Sequence, residues 1–116
     1  MRVIKFRAWN GNYFVLVTKL EFVSNPDGEF GWNINEHLGI PLENLCQYIG
    51  INDANGLEIY ENCIVVYQGK KAVVKWDDEY ACFVLEGEGG SWGTNTIIGS
   101  EIIVLGNIFD NPEGFK

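Results

Sequence analysis

Acidic side chains dominate the residues that could do chemistry. The chain of 116 residues has 16 Asp and Glu against 8 Lys and Arg, for a net charge of −8. Asp77, Asp78 and Glu79 are consecutive, and Glu86 and Glu88 flank a glycine. Consecutive carboxylates can bind Ca²⁺, but the ligand spacing of a calcium loop is absent. General acid–base catalysis needs a carboxyl group whose pKa is raised by burial, and a glycine-rich exposed segment is the wrong setting. We interpret these carboxylates as solvated loop residues.

Other reactive side chains are too few to form a recognisable catalytic or metal site. His37 is the only histidine, so a histidine-based metal site or a Ser-His-Asp triad gains little support. Cys46, Cys63 and Cys82 are widely spaced in apolar runs, which favours buried reduced thiols. The glycines of residues 87–93 lack the lysine and the following helix of a phosphate-binding loop. The sequence therefore predicts no catalytic residue, no metal ligand and no cofactor.

Aromatic and basic side chains supply the remaining candidates. Four Trp and five Tyr are many for this length, and most are expected to fill the core. Trp92, in the glycine-rich segment, is the best candidate for an exposed contact. The predicted interaction surface consists of Asp77, Asp78, Glu79, Tyr80, Glu86, Glu88 and Trp92. Arg2, Lys5 and Arg7 form a basic edge that could contact phosphate. Three cations on a chain of charge −8 are weak evidence for nucleic-acid binding.

The elements that must position these residues are mainly β-strands. Arg2–Trp9 alternates in period two, the Asn-Gly of residues 10–12 predicts a hairpin turn, and Tyr13–Phe22 is the predicted return strand. A turn is expected at 25–28, and Glu29–Ile34 is a short strand or a loop. A single helical turn with proline at its first position is predicted at 41–45.

The second half of the sequence has the clearer strand pattern. A turn at 52–56 precedes strands predicted at 63–67, 71–76, 80–85, 96–98 and 102–108. Residues 86–90 are too rich in glycine for regular structure, so we expect a mobile loop there. Short strands at this spacing indicate a small barrel or sandwich. Residues 1–56 have a net charge of −2 and residues 57–116 of −6, so the acidity lies mainly in the second half.

Three segments form a recognisable set, namely IKFRAW at 4–9, QYIGINDANGLEIYE at 47–61 and VLGNIFDNPE at 104–113. In this order they resemble the YopX family of phages and prophages of Gram-positive bacteria. The middle one is similar to the family signature QYTGLKDKNGKEIYEGD. This chain departs from it in having Ile49 for the usual threonine and Asn62-Cys63 for Gly-Asp, and residues 86–94 match no family pattern.

The resemblance implies a mostly β fold whose C-terminal half is an SH3-type barrel. It also implies expression inside a bacterial host and a homo-oligomer, and it carries over no catalytic residues. The motif residues have structural explanations as well: Asn55-Gly56 suits a tight turn, Gly106 suits a close backbone approach, and Asn111-Pro112 ends a strand.

These observations predict a mainly β protein with at most one short helix. An N-terminal β-hairpin segment, residues 1–51, is expected to pack on an SH3-like barrel of residues 52–116. We expect a non-enzymatic, cytoplasmic, phage-derived accessory protein that binds a host or phage protein or itself, through an exposed strand edge or the acidic and aromatic loops. The alternative is a nucleic-acid-binding or regulatory protein, including an acidic DNA mimic, although the acidity disfavours nucleic acid; a hydrolase ranks third. No membrane span is predicted.

Overall fold

The computed structural model describes residues 4–24, 30–35, 40–94 and 97–112, and this part of the chain is mainly β. The strands are β1 (Phe6–Trp9), β2 (Phe14–Leu16), β3 (Leu20–Ser24), β4 (Phe30–Ile34), β5 (Leu45–Asn52), β6 (Glu58–Tyr60), β7 (Cys63–Tyr67), β8 (Lys70–Asp77), β9 (Cys82–Gly87), β10 (Gly90–Gly93) and β11 (Ile102–Asn107). The described residues contain no α-helix, and 3₁₀ turns lie at Leu42–Asn44 and Gly99–Glu101. The predicted mainly β class is confirmed, while the SH3-like barrel stays a prediction.

The chain divides into two compact units. The N-terminal unit is Lys5–Gln47, and the C-terminal unit is Tyr48–Lys116 together with Met1–Ile4. Strand β5 begins in the first unit and ends in the second.

The N-terminal unit begins with the predicted hairpin. Strand β1 pairs antiparallel with β2, and it also pairs with the start of β5. Asn10 organises the turn, because its Oδ1 accepts the N–H groups of Asn12 (2.9 Å) and Tyr13 (3.0 Å). Gly11 has φ +107°, a backbone conformation that a side chain disfavours. The Asn-Gly signal therefore located this turn correctly.

The single return strand predicted at 13–22 is wrong, because strand β2 ends at Leu16 and a new strand begins at Leu20. Asn35 Oδ1 accepts the N–H groups of Thr18 (2.8 Å) and Lys19 (3.2 Å), and Asn35 Nδ2 donates to the Leu16 carbonyl (2.8 Å). These bonds satisfy the hydrogen-bonding groups of the backbone between β2 and β3. Strand β3 then pairs with β4 in a separate hairpin. The turn predicted at 25–28 lies outside the described residues.

The C-terminal unit is built on a five-stranded antiparallel sheet of order β10-β9-β8-β7-β11. Its three central strands each contain three consecutive buried residues, at 63–65, 72–74 and 83–85. Neighbouring residues of a strand point to opposite faces, so the centre of this sheet is buried on both sides. This double burial fixes the centre of the sheet and leaves the turns at its two ends to face solvent.

Two expectations for this unit are corrected. The strand predicted at 96–98 is absent over Ile97 and Ile98, and the 3₁₀ turn Gly99–Glu101 follows them. A Cβ atom on Gly99 would overlap the Asn52 carbonyl oxygen, so this turn requires glycine where its backbone passes against the end of β5. Gly106, in contrast, has open space around the position of a Cβ, so close approach does not explain it. It lies instead where the β11–β7 register shifts.

Candidate functional site

The turn after β5 is held by a buried carboxylate. Asp53 is 6% exposed, and its Oδ1 accepts the N–H groups of Asn55 (2.9 Å) and Leu57 (2.8 Å). Its Oδ2 accepts the N–H of Val104 on β11, at 2.9 Å. Gly56 follows with φ +83°, as the Asn-Gly pair predicts. The carboxylate thus closes its own turn and fastens that turn to a strand 51 residues further along the chain.

Asp53 is charged in the folded protein although it is buried. Burial raises the pKa of this carboxyl group, but the N–H donors of Val104, Leu57 and Asn55 outweigh that effect and hold the pKa below its usual range. Both oxygens of this carboxylate are used in three backbone hydrogen bonds, and with a lowered pKa the group has no proton to donate at neutral pH. Its position therefore indicates a clamp and not a catalytic acid.

Aromatic residues of the same motif complete this turn. Tyr48 and Tyr60 face each other across β5 and β6, with ring centroids 5.6 Å apart. The Tyr48 hydroxyl donates to Asn52 Oδ1 (2.6 Å), and Asn52 Nδ2 donates to the Gly56 carbonyl (3.3 Å). The motif residues at 48–60 therefore form one hydrogen-bonded support.

Asn62, one of the departures from the YopX signature, keeps the backbone that the signature's glycine would favour. Its φ is +68°, in the left-handed region that asparagine tolerates better than most residues. Its Oδ1 accepts Lys75 Nζ (3.2 Å), and its carbonyl accepts the Ile108 N–H (3.0 Å). The next residue, Cys63, is 1% exposed and fills the core.

The turn between β8 and β9 presents acidic and aromatic side chains to solvent. Asp77 Oδ1 accepts the N–H groups of Glu79 (2.9 Å) and Tyr80 (3.1 Å), which fixes the turn. Asp78 and Glu79 are exposed, Tyr80 is 73% exposed, and Trp76 is 47% exposed beside Phe83. We call residues 76–80 the acidic turn. Large aromatic side chains this exposed beside ordered carboxylates are typical of a contact surface.

A groove of about 600 Å³ runs from the acidic turn to the edge strand β10. It is lined by Asp77, Tyr80, Ala81, Cys82, Val84, Ser91 and Gly93, and we call it the edge groove. Both sides of the groove are strands or an ordered turn, so its shape is preformed. Cys82 is half-buried here, whereas Cys46 and Cys63 are buried free thiols, as predicted.

A second groove of about 830 Å³ lies at the opposite end of β8. Lysines from the β7–β8 hairpin and glutamates from the β9–β10 hairpin line it: Lys70, Lys71, Glu86 and Glu88, with Gly69, Gly87 and Gly89 between them. Its charges are mixed, whereas the charged side chains of the acidic turn are all acidic. The predicted interaction surface is therefore split, with Asp77–Tyr80 at one end of the sheet and the two glutamates at the other.

The mobile loop predicted at 86–90 is wrong, because these residues form a tight hairpin. Glu86 and Gly87 end β9, and Gly89 (φ +89°) and Gly90 (φ +142°) turn the chain into β10. A Cβ on Gly87 would lie 2.6 Å from the Lys71 carbonyl oxygen, so the glycine permits close strand packing. The glycines serve turn geometry and packing.

Trp92 lies in β10 and is half-buried rather than fully exposed. Its ring meets Tyr67 edge-on at 5.8 Å, and Lys70 Nζ lies 5.8 Å from its centroid. The sequence pattern placed this residue in a loop, whereas strand pairing with Leu85 turns it toward Tyr67. Trp76, which sequence reasoning grouped with core aromatics, is the more exposed tryptophan; its place at a strand end beside three acidic residues was the available signal.

The predicted basic edge is only partly described. Arg2 and His37 lie outside the described residues. Lys5 is half-buried, and the Arg7 guanidinium carbon lies 3.7 Å from the centroid of the Phe14 ring. This stacking already uses one face of the Arg7 guanidinium. Within the described residues, no cluster of histidine, cysteine and acidic side chains has metal-site geometry, and no helix is long and apolar enough to cross a bilayer.

The comparisons with known proteins give one family and two related folds. The family model described as YopX protein matches residues 5–116. The crystal structure of protein EF1440 from Enterococcus faecalis is 22% identical, with both chains covered completely and a TM-score of 0.61. Protein yopX from Bacillus subtilis is 19% identical, with 97% of this chain and 98% of that chain covered and a TM-score of 0.56. No curated protein matches.

The family match covers all three segments on which the sequence resemblance rests, except for Ile4. It also contains the Asp53 clamp and the acidic turn, so these features belong to the matched domain. Both solved structures align over nearly the full chain, which shows a shared fold. The chain belongs to the YopX family.

Proposed function

We propose that this protein is a non-enzymatic, phage- or prophage-encoded accessory protein that acts inside the bacterial cell by binding another protein. The observation that carries the proposal is the acidic turn, where the exposed rings of Trp76 and Tyr80 stand beside ordered carboxylates and next to a preformed groove. Exposed aromatic anchors with a polar rim are the arrangement from which protein interfaces gain most of their binding energy.

The hydrogen bonding of the buried carboxylate also favours binding over catalysis. Asp53 uses both oxygens for backbone N–H groups, and burial without such partners is what raises a carboxyl pKa toward a catalytic value. The charge of −8 favours a basic partner.

The test is affinity capture from infected and uninfected host lysates with the wild type, a double variant and a control variant in parallel. The double variant carries Trp76→Ser and Tyr80→Ser, which remove the exposed rings. Leu42→Ser, at an exposed leucine of the N-terminal unit, is the matched control because it also removes an exposed apolar side chain. We expect a protein that the wild type and the control retain and the double variant loses. Equal capture by the wild type and both variants contradicts the proposal. Recovery of nucleic acid that is released by salt supports the alternative function.

A further inference from the structure

The chain contains two Asn-Gly pairs, Asn10-Gly11 and Asn55-Gly56, which lie in turns with different hydrogen bonding. An asparagine can lose its side-chain amide when the backbone nitrogen of the next residue attacks the side-chain carbon Cγ, a reaction between neighbouring groups of one chain. Glycine in the next position favours this reaction because glycine has no side chain to obstruct the attack. The reaction needs a backbone N–H that is free to lose its proton, a polarised side-chain carbonyl and access for water.

The turn after β5 holds its glycine nitrogen in a hydrogen bond. The Gly56 N–H donates to the Asp53 carbonyl (3.1 Å), and the N–H groups of Asn55 and Leu57 on either side donate to the Asp53 carboxylate. To attack Asn55, the Gly56 nitrogen would have to leave its acceptor, and the bonds on both sides resist that movement. Asn55 and Gly56 are exposed, so hydrogen bonding and not burial protects this pair.

The turn between β1 and β2 has the opposite arrangement. Within the described residues the Gly11 N–H has no acceptor, and neither has Asn10 Nδ2, the nitrogen that would leave. Asn10 Oδ1 accepts the N–H groups of Asn12 (2.9 Å) and Tyr13 (3.0 Å), so two donors polarise the carbonyl that is to be attacked. Residues 10–13 are exposed, which gives water access to the turn. All three requirements are therefore met at this pair.

We infer that Asn10 is a self-modification site of the folded protein, at which the Gly11 nitrogen displaces the side-chain amide. Once its proton has passed to hydroxide, the Gly11 nitrogen forms a bond to Asn10 Cγ. The N–H groups of Asn12 and Tyr13 stabilise the negative charge on Oδ1, as the donors of an oxyanion hole do. The Cγ–Nδ2 bond then breaks, and the nitrogen takes a proton from water and leaves as ammonia. Water opens the resulting succinimide ring at either carbonyl, which gives aspartate or isoaspartate.

Both products add a negative charge to the hairpin, but they affect its turn differently. An aspartate at residue 10 keeps an oxygen that accepts the N–H groups of Asn12 and Tyr13. Isoaspartate adds a methylene to the backbone between β1 and β2 and so disturbs the pairing of Trp9 with Phe14. The inference is independent of the proposed function, because this hairpin belongs to the N-terminal unit and the acidic turn to the C-terminal unit.

The test compares the two Asn-Gly pairs within one sample of the full chain. The protein is incubated in mildly alkaline buffer, either folded or unfolded in guanidinium chloride, and mass spectrometry of its peptides measures the exchange of NH for O at each site. In the unfolded chain we expect similar rates at Asn10 and Asn55, because glycine follows both. In the folded chain we expect Asn10 to react at least about tenfold faster than Asn55, the factor that corresponds to one net hydrogen bond.

A matched pair of variants assigns the reaction to one residue of the tryptic peptide 8–19. Asn10→Gln should abolish the mass change of this peptide, whereas Asn12→Gln keeps the backbone N–H that bonds Asn10 Oδ1 and should leave the change intact. The opposite result for the two variants overturns the inference, and so do equal rates at Asn10 and Asn55 in the folded chain. A slower reaction of Asn10 in the folded than in the unfolded chain also overturns it, because the bonds to Oδ1 would then hold the side chain away from Gly11.

Discussion

Replacing Asp53 tests whether one carboxylate fastens the turn after β5 to the sheet. Asp53→Ala leaves the N–H groups of Asn55, Leu57 and Val104 without their acceptor. A buried donor left unpaired costs about 1–3 kcal/mol, and the three losses are not additive because they share one site. We expect a loss of about 3 kcal/mol in the free energy of unfolding, or roughly 10–20 °C in Tm.

Asp53→Asn separates charge from shape. The amide oxygen can still accept from Asn55 and Leu57, but an NH₂ group then faces the Val104 N–H, so donor meets donor. We expect a loss of about 1–3 kcal/mol, smaller than for alanine, because one hydrogen bond of three is removed. Urea unfolding followed by tryptophan fluorescence gives both values, and hydrogen exchange should show faster exchange of the Val104 amide. Asp78→Asn, at an exposed carboxylate, is the control and should stay within about 0.5 kcal/mol of wild type.

The same carboxylate predicts how stability depends on pH. The pKa of Asp53 is lower in the folded protein than in the unfolded chain, where it is about 3.9. Its stabilisation is therefore fully present above the unfolded value and is lost as pH falls through the lower, folded value. The difference in stability between wild type and Asp53→Asn should shrink as pH falls below about 4. A constant difference, or an Asp53→Ala protein as stable as wild type, would refute the assignment of Asp53 as a clamp.

Three further outcomes follow from backbone geometry and thiol burial. Gly99→Ala should cost several kcal/mol (about 2–4) in urea unfolding because its Cβ meets the Asn52 carbonyl, whereas Gly106→Ala, with open space, should change stability by less than about 1 kcal/mol; similar costs would contradict the packing argument. Asn62→Gly should be tolerated, and Asn62→Val should lower stability by about 1–3 kcal/mol because its φ is +68°; an unaffected valine variant would contradict this. Mass spectrometry of the native protein should find Cys82 alkylated before the two buried thiols, and labelling of all three at one rate would contradict their assigned burial.

Local sequence signals predict turns and strands correctly where one short segment determines the structure. Asn10-Gly11 and Asn55-Gly56 located turns because their backbone conformations are intrinsic to those residues. The apolar runs at 63–67 and 71–76 located the central strands. The family resemblance was also confirmed over nearly the whole chain.

The errors arose where a distant residue decides the local structure. The backbone between β2 and β3 is hydrogen-bonded by Asn35, and the Asn52 carbonyl excludes a side chain at Gly99. Neither partner is visible in the local sequence pattern. Asp53 was predicted only as a turn residue, because its bond to Val104 spans 51 positions. An aspartate two residues before Asn-Gly indicates that its side chain caps the turn. The third hydrogen bond, to β11, can be found only once the fold has placed Val104 beside the turn.

The Asp53 clamp also protects one edge of the five-stranded sheet. An open antiparallel sheet has two edges, and each exposes backbone groups that would pair with other chains. On β11 the turn after β5 supplies the missing partners from within the chain, at Ile102 and Val104. Because both partners belong to the same turn, the hydrogen bonds that close the turn also keep another chain from pairing at this edge.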